Sequence, residues 1–173
     1  LHEMGLRVVL DVVYNHTNSS GLWEHSVLDK VVPGYYHRRD LTSGNVLQET
    51  CCQDTAPEHL MMDKLMQDSL VMWAKEYKFD GFRFDIMSNN SVDSIIAART
   101  AVQAIDSDNY FYGEGWTRSE QGYIQAQQNN MAGTQVGTFN DRPRDTIRGA
   151  SLFGSDNDFG AQDTIRLGLS GTL

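Results

Sequence analysis

Four short segments of the chain have the composition and alternation of β-strands, and long intervals separate them. The first is almost continuously apolar, which predicts a strand covered on both faces in a parallel sheet. The second, with the sequence GFRFD, places two phenylalanines on one face and an arginine and a carboxylate on the other, so it is half solvated or lines a polar site. The four segments are Arg7–Val13, Phe79–Asp85, Asn109–Gly113 and Gln135–Phe139.

Two of the intervals carry helical periodicity. Thr55–Glu58 reads as a capping box that opens a helix with a Met- and Trp-rich apolar stripe, and Ser91 is expected to cap a second helix. A weaker, polar helix is predicted around Ser119–Met131. Strands alternating with helices predict a parallel α/β fold. The two apolar stripes are Met62, Met66, Leu70, Trp73 and Tyr77 in the first helix, and Val92, Ile95, Ile96, Val102 and Ile105 in the second.

The interval after the first strand and the two chain ends bear on domain organisation. Residues 14–56 have no strong periodicity and many turn residues, as expected for a functional loop after a barrel strand. The opening sequence LHEMG reads as the last turn of a helix closed by Gly5. The far end, with the sequence IRLGLSGTL, predicts no terminal helix. We therefore expect residues 1–173 to be an incomplete catalytic barrel domain, truncated at both ends.

Charge and hydropathy exclude some classes of partner. The chain has 14 Lys and Arg against 23 Asp and Glu, a formal charge of −9. Such an acidic balance argues against nucleic acid, whose binding depends on Lys and Arg. No stretch of the sequence approaches the roughly 18 apolar residues of a membrane span.

The two cysteines, Cys51 and Cys52, are adjacent. Neighbouring Cα atoms are about 3.8 Å apart, below the usual disulfide range of about 4.4–6.8 Å. We therefore expect two ordinary thiols in a loop, with pairing to a cysteine elsewhere in a longer chain left open. The redox compartment stays undecided on this basis.

Ionisable and polar residues follow three of the predicted strands. In parallel α/β folds, ligands bind at the carboxyl ends of the strands, so side chains delivered there by neighbouring strands are candidates for one site. The first strand contributes Asp11, Asn15 and His16, the second Arg83 and Asp85, and the third Glu114.

Two carboxyl groups on neighbouring strands suit glycoside hydrolysis, in which one attacks the sugar and the other protonates the leaving oxygen. Arg83 shares a face with Asp85 and would keep it ionised as a nucleophile. Glu114 is expected in drier surroundings beside Trp116, where its pKa would rise. Because adjacent strands lie close to 4.8 Å apart, the carboxyls favour the short separation of retaining enzymes.

The remaining polar and aromatic residues suit carbohydrate binding. Tyr14 and Trp116 offer flat faces for sugar rings, and His16 and Asp11 offer hydrogen bonds to hydroxyls. Two alternatives stay open. The three carboxylates would also suit Mg²⁺ in a barrel lyase, although Arg83 would repel that ion. An inactive carbohydrate-binding relative is the other alternative, but it has little reason to keep both Asp85 and Glu114.

Several motifs together resemble a known family. The sequences DVVYNHT, DGFRFDIM and YGEGW resemble the first three signature regions of the α-amylase superfamily of glycoside hydrolases. The forms YNHT, GFRFD and GEGW are similar to those of the pullulanase-type α-1,6-glucosidases. The connecting sequences SVLDKVVPGYYHR, TCCQDTAPEH and TFNDRPRDTIRG extend the resemblance over nearly the whole chain.

The resemblance implies roles for individual residues. Asp85 is implied as the nucleophile, Glu114 as the general acid/base and Arg83 as the residue that orients Asp85. The pocket for the glucosyl ring at the cleavage point is implied to contain Asp11, Asn15 and His16. One departure from the family pattern is Ser88–Asn90, which stands where glycine and then histidine-containing residues are usual.

The resemblance also implies a fold and a substrate. The fold would be part of a (β/α)8 TIM barrel, about strands three to six, with the family's third carboxylate beyond Leu173. The activity would be retaining hydrolysis of α-1,6 branch points in pullulan, starch or glycogen. Isoamylase, glycogen-debranching or α-1,4-acting amylase-like activity is the alternative. An α-glucan is the implied partner, the chemistry needs no cofactor, a structural calcium ion is allowed, and an extracellular or periplasmic location is favoured.

Overall fold

The computed structural model describes residues 1–116, 123–148 and 162–171. The chain divides into two compact units, Leu1–Thr138 and Phe139–Leu173. Short 3₁₀ turns at His2–Met4 and Met87–Asn89 accompany the regular elements of the first unit. In chain order those elements are β1 (Val9–Val12), β2 (His16–Thr17), α1 (Leu28–Val31), β3 (Gln53–Asp54), α2 (Leu60–Tyr77), β4 (Gly81–Phe84), α3 (Val92–Gln103), β5 (Tyr110–Gly113) and β6 (Gly137–Thr138).

The four predicted strands form one parallel sheet in the order β1-β4-β5-β6. Each is confirmed with narrower bounds than predicted, and the helices between them confirm the α/β class. The expectation that the first strand is covered on both faces is wrong, because Val9 is 42% exposed and Val13 is 52% exposed. Among the described strands β1 pairs with β4 alone, so it lies at the edge of this sheet.

The core lies between the sheet and the helices α2 and α3. Phe82 and Phe84 of β4 both pack on Phe111 of β5, with ring centroids 5.4 and 5.6 Å apart. The predicted helical stripes supply most of the rest, although each ends earlier than expected, since Tyr77 is 62% exposed and Ile105 is 42% exposed. The helix residues buried in this core are Met66, Leu70 and Ala74 of α2 and Ile95, Ala98 and Val102 of α3.

The two predicted helix caps have different outcomes. Ser91 caps α3 as expected, since its Oγ accepts a hydrogen bond from Ser94 N at 3.0 Å. The capping box before α2 is wrong, because that helix begins at Leu60 without a side-chain cap. Both capping residues are used elsewhere. Thr55 Oγ1 donates to Tyr14 O at 2.5 Å, and Glu58 binds Arg38.

The helix predicted around Ser119–Met131 is wrong where the structure describes it. Residues 119–122 lie outside the described residues, and residues 123–131 form turns and a bridge between Gln125 and Ser91. Asn130 explains the turn, because its side chain accepts from Gln127 N at 2.9 Å and donates to Gln125 O at 2.7 Å. Such side-chain bonds compete with helical ones.

The long connection after β1 is organised by buried polar groups. Residues of β2 and β3 pair antiparallel, so that His16 lies opposite Asp54. Asp29 is 3% exposed, and its carboxylate accepts from Gly21 N at 2.6 Å and Gly34 N at 3.1 Å. Burial raises the pKa of Asp29, but these hydrogen bonds outweigh burial and lower it below its ordinary value.

The predicted turn at the start of the chain is confirmed. His2–Met4 form a single 3₁₀ turn, and Gly5 ends it in the left-handed conformation at φ 73°. Its backbone N–H donates to His2 O at 2.8 Å. Glycine suits this position because it adopts positive φ without steric cost.

The second unit contains α4 (Asp141–Arg148) and α5 (Gln162–Leu169), which contact each other. The expectation that the far end has no terminal helix is therefore wrong. Gly168 of α5 lies against Thr146 of α4, where an added Cβ would come within 2.7 Å of Thr146 Cγ2. None of the helices in the described parts of the chain is long and apolar enough to cross a membrane.

Candidate active site

One arginine joins three carboxylates at the carboxyl ends of adjacent strands. Arg83 of β4 lies opposite Asp11 of β1, and its Nη1 donates to Asp11 Oδ1 at 2.8 Å and to Asp85 Oδ1 at 3.4 Å. Its Nη2 donates to Glu114 Oε1. We call these four residues the Arg83 cluster. The structure thus brings together the predicted nucleophile and acid/base, but Arg83 binds both rather than Asp85 alone.

The backbone around the cluster holds the two proposed catalytic groups. Asp85 N donates to Val12 O and Glu114 N donates to Phe84 O, each at 3.0 Å, which continues the sheet ladder past the strand ends. Ile86 has the left-handed conformation at φ 36°, which is strained for a β-branched residue. Its N–H donates to Glu114 Oε2 at 3.0 Å, so this turn engages the second oxygen of the carboxylate.

Gly113 allows the close packing beneath Glu114. A Cβ at this position would come within 2.7 Å of Phe84 O and 2.9 Å of Met87 Cβ. The strand end that carries Glu114 therefore approaches β4 more closely than any larger residue allows. The close packing therefore explains why the YGEGW motif has glycine at position 113.

The side chains of the cluster are partly shielded from water. The exposed fraction is 19% for Arg83, 20% for Glu114 and 26% for Asp85, whereas Asp11 is 67% exposed. Burial lowers the pKa of Arg83, but its hydrogen bond to Asp11 and the charges of Glu114 and Asp11 outweigh burial and raise the pKa above its ordinary value. Because a fixed cation lies between the three carboxylates, the Mg²⁺ alternative loses its geometric basis.

Asn15 and His16 extend the cluster towards the loop. Asn15 is completely buried, and its side-chain Nδ2 donates to Asp85 Oδ2 at 3.2 Å. The same nitrogen lies 2.9 Å from His16 Nδ1. His16 is therefore linked to the proposed nucleophile through Asn15, which agrees with the predicted grouping of these residues.

The predicted aromatic platforms, Tyr14 and Trp116, are both partly buried. Tyr14 is partly buried, packs against Phe84 with ring centroids 6.4 Å apart, and donates its hydroxyl to Ser69 Oγ of α2 at 2.8 Å. Burial raises the pKa of Tyr14, and the bond to Ser69 offsets only part of the rise. Trp116 is partly buried two residues after Glu114. Their stacking on sugar rings stays a prediction.

A second polar network, missed by the sequence analysis, lies behind the cluster. Arg38 is 7% exposed and binds Glu58 through two nitrogens, at 2.9 and 2.8 Å. It also donates to Asn89 Oδ1 at 2.9 Å, and Asn89 Nδ2 donates to Asn15 O at 3.0 Å. The signal in the sequence was Ser88–Asn90, whose polar residues follow a buried strand and are themselves buried.

Cys51 and Cys52 are bonded to each other, so the expectation of two ordinary thiols is wrong. The two Cα atoms are 3.8 Å apart, which is below the usual range for disulfides, but the turn at these residues still brings their sulfurs within bonding distance. Cys51 Sγ lies 3.3 Å from His16 Nε2, which brings the pair beside the candidate site. The structural calcium ion stays a prediction. The closely spaced donors among the described residues are the nitrogen and sulfur atoms of His16 and these cysteines, whereas calcium takes oxygen ligands.

Comparison with known proteins places this site in a family. The chain is 48% identical over 155 residues to a pullulanase of Klebsiella pneumoniae, an alignment that covers 88% of this chain. It is 45% identical over 167 residues to a chloroplastic pullulanase of Arabidopsis thaliana. The chain belongs to the pullulanase family. No protein-family model matches it.

Solved structures of pullulanases superpose on this chain. The structure of PulA from Klebsiella oxytoca superposes with a TM-score of 0.84 at 49% identity over 88% of this chain. A type I pullulanase from Bacillus subtilis, complexed with maltose, gives 0.82 at 30% identity over 98%. The chain spans 14% and 17% of the length of the two curated pullulanases named above, and 15% and 25% of these two solved chains.

Proposed function

We propose that the enzyme containing this chain hydrolyses α-1,6-glucosidic branch points in pullulan, starch or glycogen-type glucans. The proposal rests on one observation: the guanidinium of Arg83 donates hydrogen bonds to both Asp85 and Glu114, which follow neighbouring strands. Family membership supports the substrate class, since relatives named pullulanase match 88% and 89% of this chain. The sheet would supply about strands three to six of a (β/α)8 barrel.

The chemistry follows from the two carboxyl groups. Asp85 attacks the anomeric carbon, while Glu114 gives its proton to the leaving glucosidic oxygen. Glu114, now a carboxylate, then takes a proton from the water that hydrolyses the glycosyl–Asp85 bond, which returns both groups to their starting states. Through both steps Arg83 keeps its hydrogen bond to the Asp11 carboxylate. The guanidinium of Arg83 therefore stays oriented while the charges on Asp85 and Glu114 change.

The pocket residues would orient the glucosyl ring. Asn15 donates to the second oxygen of Asp85 and so aims the first oxygen, which lies against Arg83. Asp11 is the most exposed member of the cluster and is available to accept from a sugar hydroxyl. The solved maltotriose complex of PulA from Klebsiella pneumoniae supports an α-glucan as the ligand.

Single substitutions in the intact enzyme test this proposal. Asp85→Asn and Glu114→Gln preserve size and are each expected to reduce pullulan hydrolysis to below a few per cent. A matched Asp68→Asn variant, changed at an exposed position on α2, should keep full activity. Retention of substantial activity by Asp85→Asn would refute its role as nucleophile. Rapid cleavage of amylose with pullulan untouched would instead favour an α-1,4-acting relative.

A further inference from the structure

His16, Cys51 and Cys52 bring one imidazole nitrogen and two sulfur atoms together beside the Arg83 cluster. Their potential ligand atoms all lie within 4.8 Å of one another, and His16 Nε2 is 3.3 Å from Cys51 Sγ. In a tetrahedral zinc site, with Zn–S near 2.3 Å and Zn–N near 2.0–2.1 Å, neighbouring donors are about 3.5–3.8 Å apart. The His16–Cys51 spacing is already close to that value. The proposed hydrolysis makes no use of the sulfur atoms.

The backbone holds these three residues in place independently of the bond between the sulfurs. Pairing of β2 with β3 places His16 opposite Asp54, which follows Cys52 by two residues. Asp54 is completely buried, and its carboxylate accepts from Glu49 N at 2.8 Å and Thr50 N at 3.1 Å. Asp54 thus closes the turn that carries the cysteines through hydrogen bonds that do not involve the sulfurs.

We propose that the reduced cysteine pair and His16 bind a thiophilic divalent cation, Zn²⁺. A dithiol reductant supplies the two electrons that break the Cys51–Cys52 bond, leaving two thiols and an oxidised reductant. Both thiols lose their protons to solvent as Zn²⁺ binds. Two thiolates and one imidazole form a Cys₂His donor set with a fourth position open to water.

Zinc binding is coupled to Asp85 through the tautomer of His16. Asn15 Nδ2 faces both Asp85 Oδ2 and His16 Nδ1, so Nδ1 acts as an acceptor and the neutral ring carries its proton on Nε2. A metal ion on Nε2 shifts that proton to Nδ1, where it meets the Asn15 amide donor. Within residues 1–116, 123–148 and 162–171, Asn15 Oδ1 has no hydrogen-bond partner, and it accepts the proton only if the amide turns, which removes the donor from Asp85.

Occupancy of this site therefore switches off hydrolysis through the position of Asp85. This second step rests on the proposed function, whereas the metal site itself does not. The expected kinetic signature is a fall in kcat, because the nucleophile is misaimed. A merely steric effect of the ion on the sugar pocket would raise KM instead.

Cobalt is a suitable probe, because thiolate ligation to Co²⁺ gives a charge-transfer absorption in the near ultraviolet. The intact enzyme is reduced with a dithiol, freed of it by desalting and titrated with Co²⁺ and then Zn²⁺. We expect one Co²⁺ per chain with thiolate absorption, displaced by Zn²⁺, in the reduced enzyme. The oxidised enzyme and the Cys51→Ser/Cys52→Ser variant should lack this band. The same binding by the reduced enzyme and the double variant would overturn the site.

Two further measurements separate the parts of the proposal. His16→Gln in the reduced enzyme should weaken Co²⁺ binding by at least about tenfold while leaving some thiolate absorption, and unchanged affinity would remove His16 from the site. Zn²⁺ should lower kcat for pullulan in the reduced wild type and not in Cys52→Ala. Zinc that binds without a change in kcat would overturn the coupling to Asp85. Because the cobalt spectrum needs no substrate, an enzyme inactive on pullulan would contradict the proposed function and leave the metal test intact.

Discussion

The side-chain amide of Asn15 donates to the carboxylate of Asp85 across 3.2 Å, and Asn15 is completely buried. This bond links the loop after β1 to the residue that follows β4. Asn15 binds one oxygen of the Asp85 carboxylate and Arg83 binds the other, so the two contacts together restrict Asp85 to one orientation.

Replacing Asn15 with aspartate should disable the enzyme without unfolding it. Asn15→Asp turns a donor into a second carboxylate next to Asp85, and loss of one positioned donor costs about 10²–10³-fold in kcat. Steady-state kinetics on pullulan would measure the loss. Asn18→Asp makes the same chemical change at an exposed position of the same loop and should leave kcat unchanged. Equal activity of both variants would contradict the aiming role.

The planar guanidinium geometry of Arg83, and not only its charge, should be needed for catalysis. Arg83→Lys keeps the charge but cannot bind Asp11, Asp85 and Glu114 from two nitrogens at once. We expect kcat to fall by about 10²-fold or more, the usual scale for a misplaced catalytic group. Arg166→Lys, at a largely exposed arginine paired with Asp163, is the matched control. Full activity of Arg83→Lys would show that charge alone suffices.

The Arg38–Glu58 pair should make stability depend on pH. Burial raises the pKa of Glu58, but the bond and charge of Arg38 outweigh burial and lower it. A lowered folded-state pKa means that the pair stabilises the protein fully above the unfolded value, about 4.3 for glutamate. This contribution is lost as pH falls through the lower folded value.

Glu58→Gln tests this dependence. Removing the carboxylate leaves the buried guanidinium of Arg38 without its charged partner. This costs roughly 2 kcal/mol, less than the range for fully buried pairs because the Glu58 side chain is 30% exposed. Thermal unfolding between pH 7 and acid should show the difference in Tm shrinking as pH falls below about 4. Glu76→Gln, at an exposed glutamate, should show neither effect. A difference that stays constant with pH would reject the ion pair as the cause.

The stereochemical outcome follows from the placement of the carboxyls on neighbouring strands. Groups attached to one guanidinium favour the separation of about 5–5.5 Å that retaining glycosidases use. We expect the first product of branch-point cleavage to be the α-anomer. Proton NMR during the first turnovers would detect it, and initial release of the β-anomer would indicate inversion.

Much of this site was predictable because its signals are local. A strand shows itself through alternation and β-branched residues, and a polar residue directly after it lies at the sheet edge in any parallel fold. The sequence therefore predicted Asp85 and Glu114 at the ends of neighbouring strands, where the structure has them, and the cap at Ser91 follows from residues three positions apart.

Other features depended on contacts between distant residues. Glu58 looked like part of a helix cap, yet it lies within reach of Arg38, and the stronger bidentate pair takes it away from the helix. The partner of Arg83 was expected two residues away at Asp85, whereas its second nitrogen reaches Glu114 on the next strand. Sequence separation carries no information about such pairs.

The sequence by itself determined the order of the four strands of the parallel sheet and of helices α2 and α3, most of the residues that face the core, and the carboxylates at the strand ends, because each depends on a pattern within one segment. Only the tertiary structure decided which side chains meet. Pairing of β2 with β3 brought Cys51 beside His16, and the 3₁₀ turn after β4 placed Asn89 against the backbone of Asn15. These contacts arise when separate segments bury their polar groups against one another, and the partner of each buried donor is chosen by the whole fold.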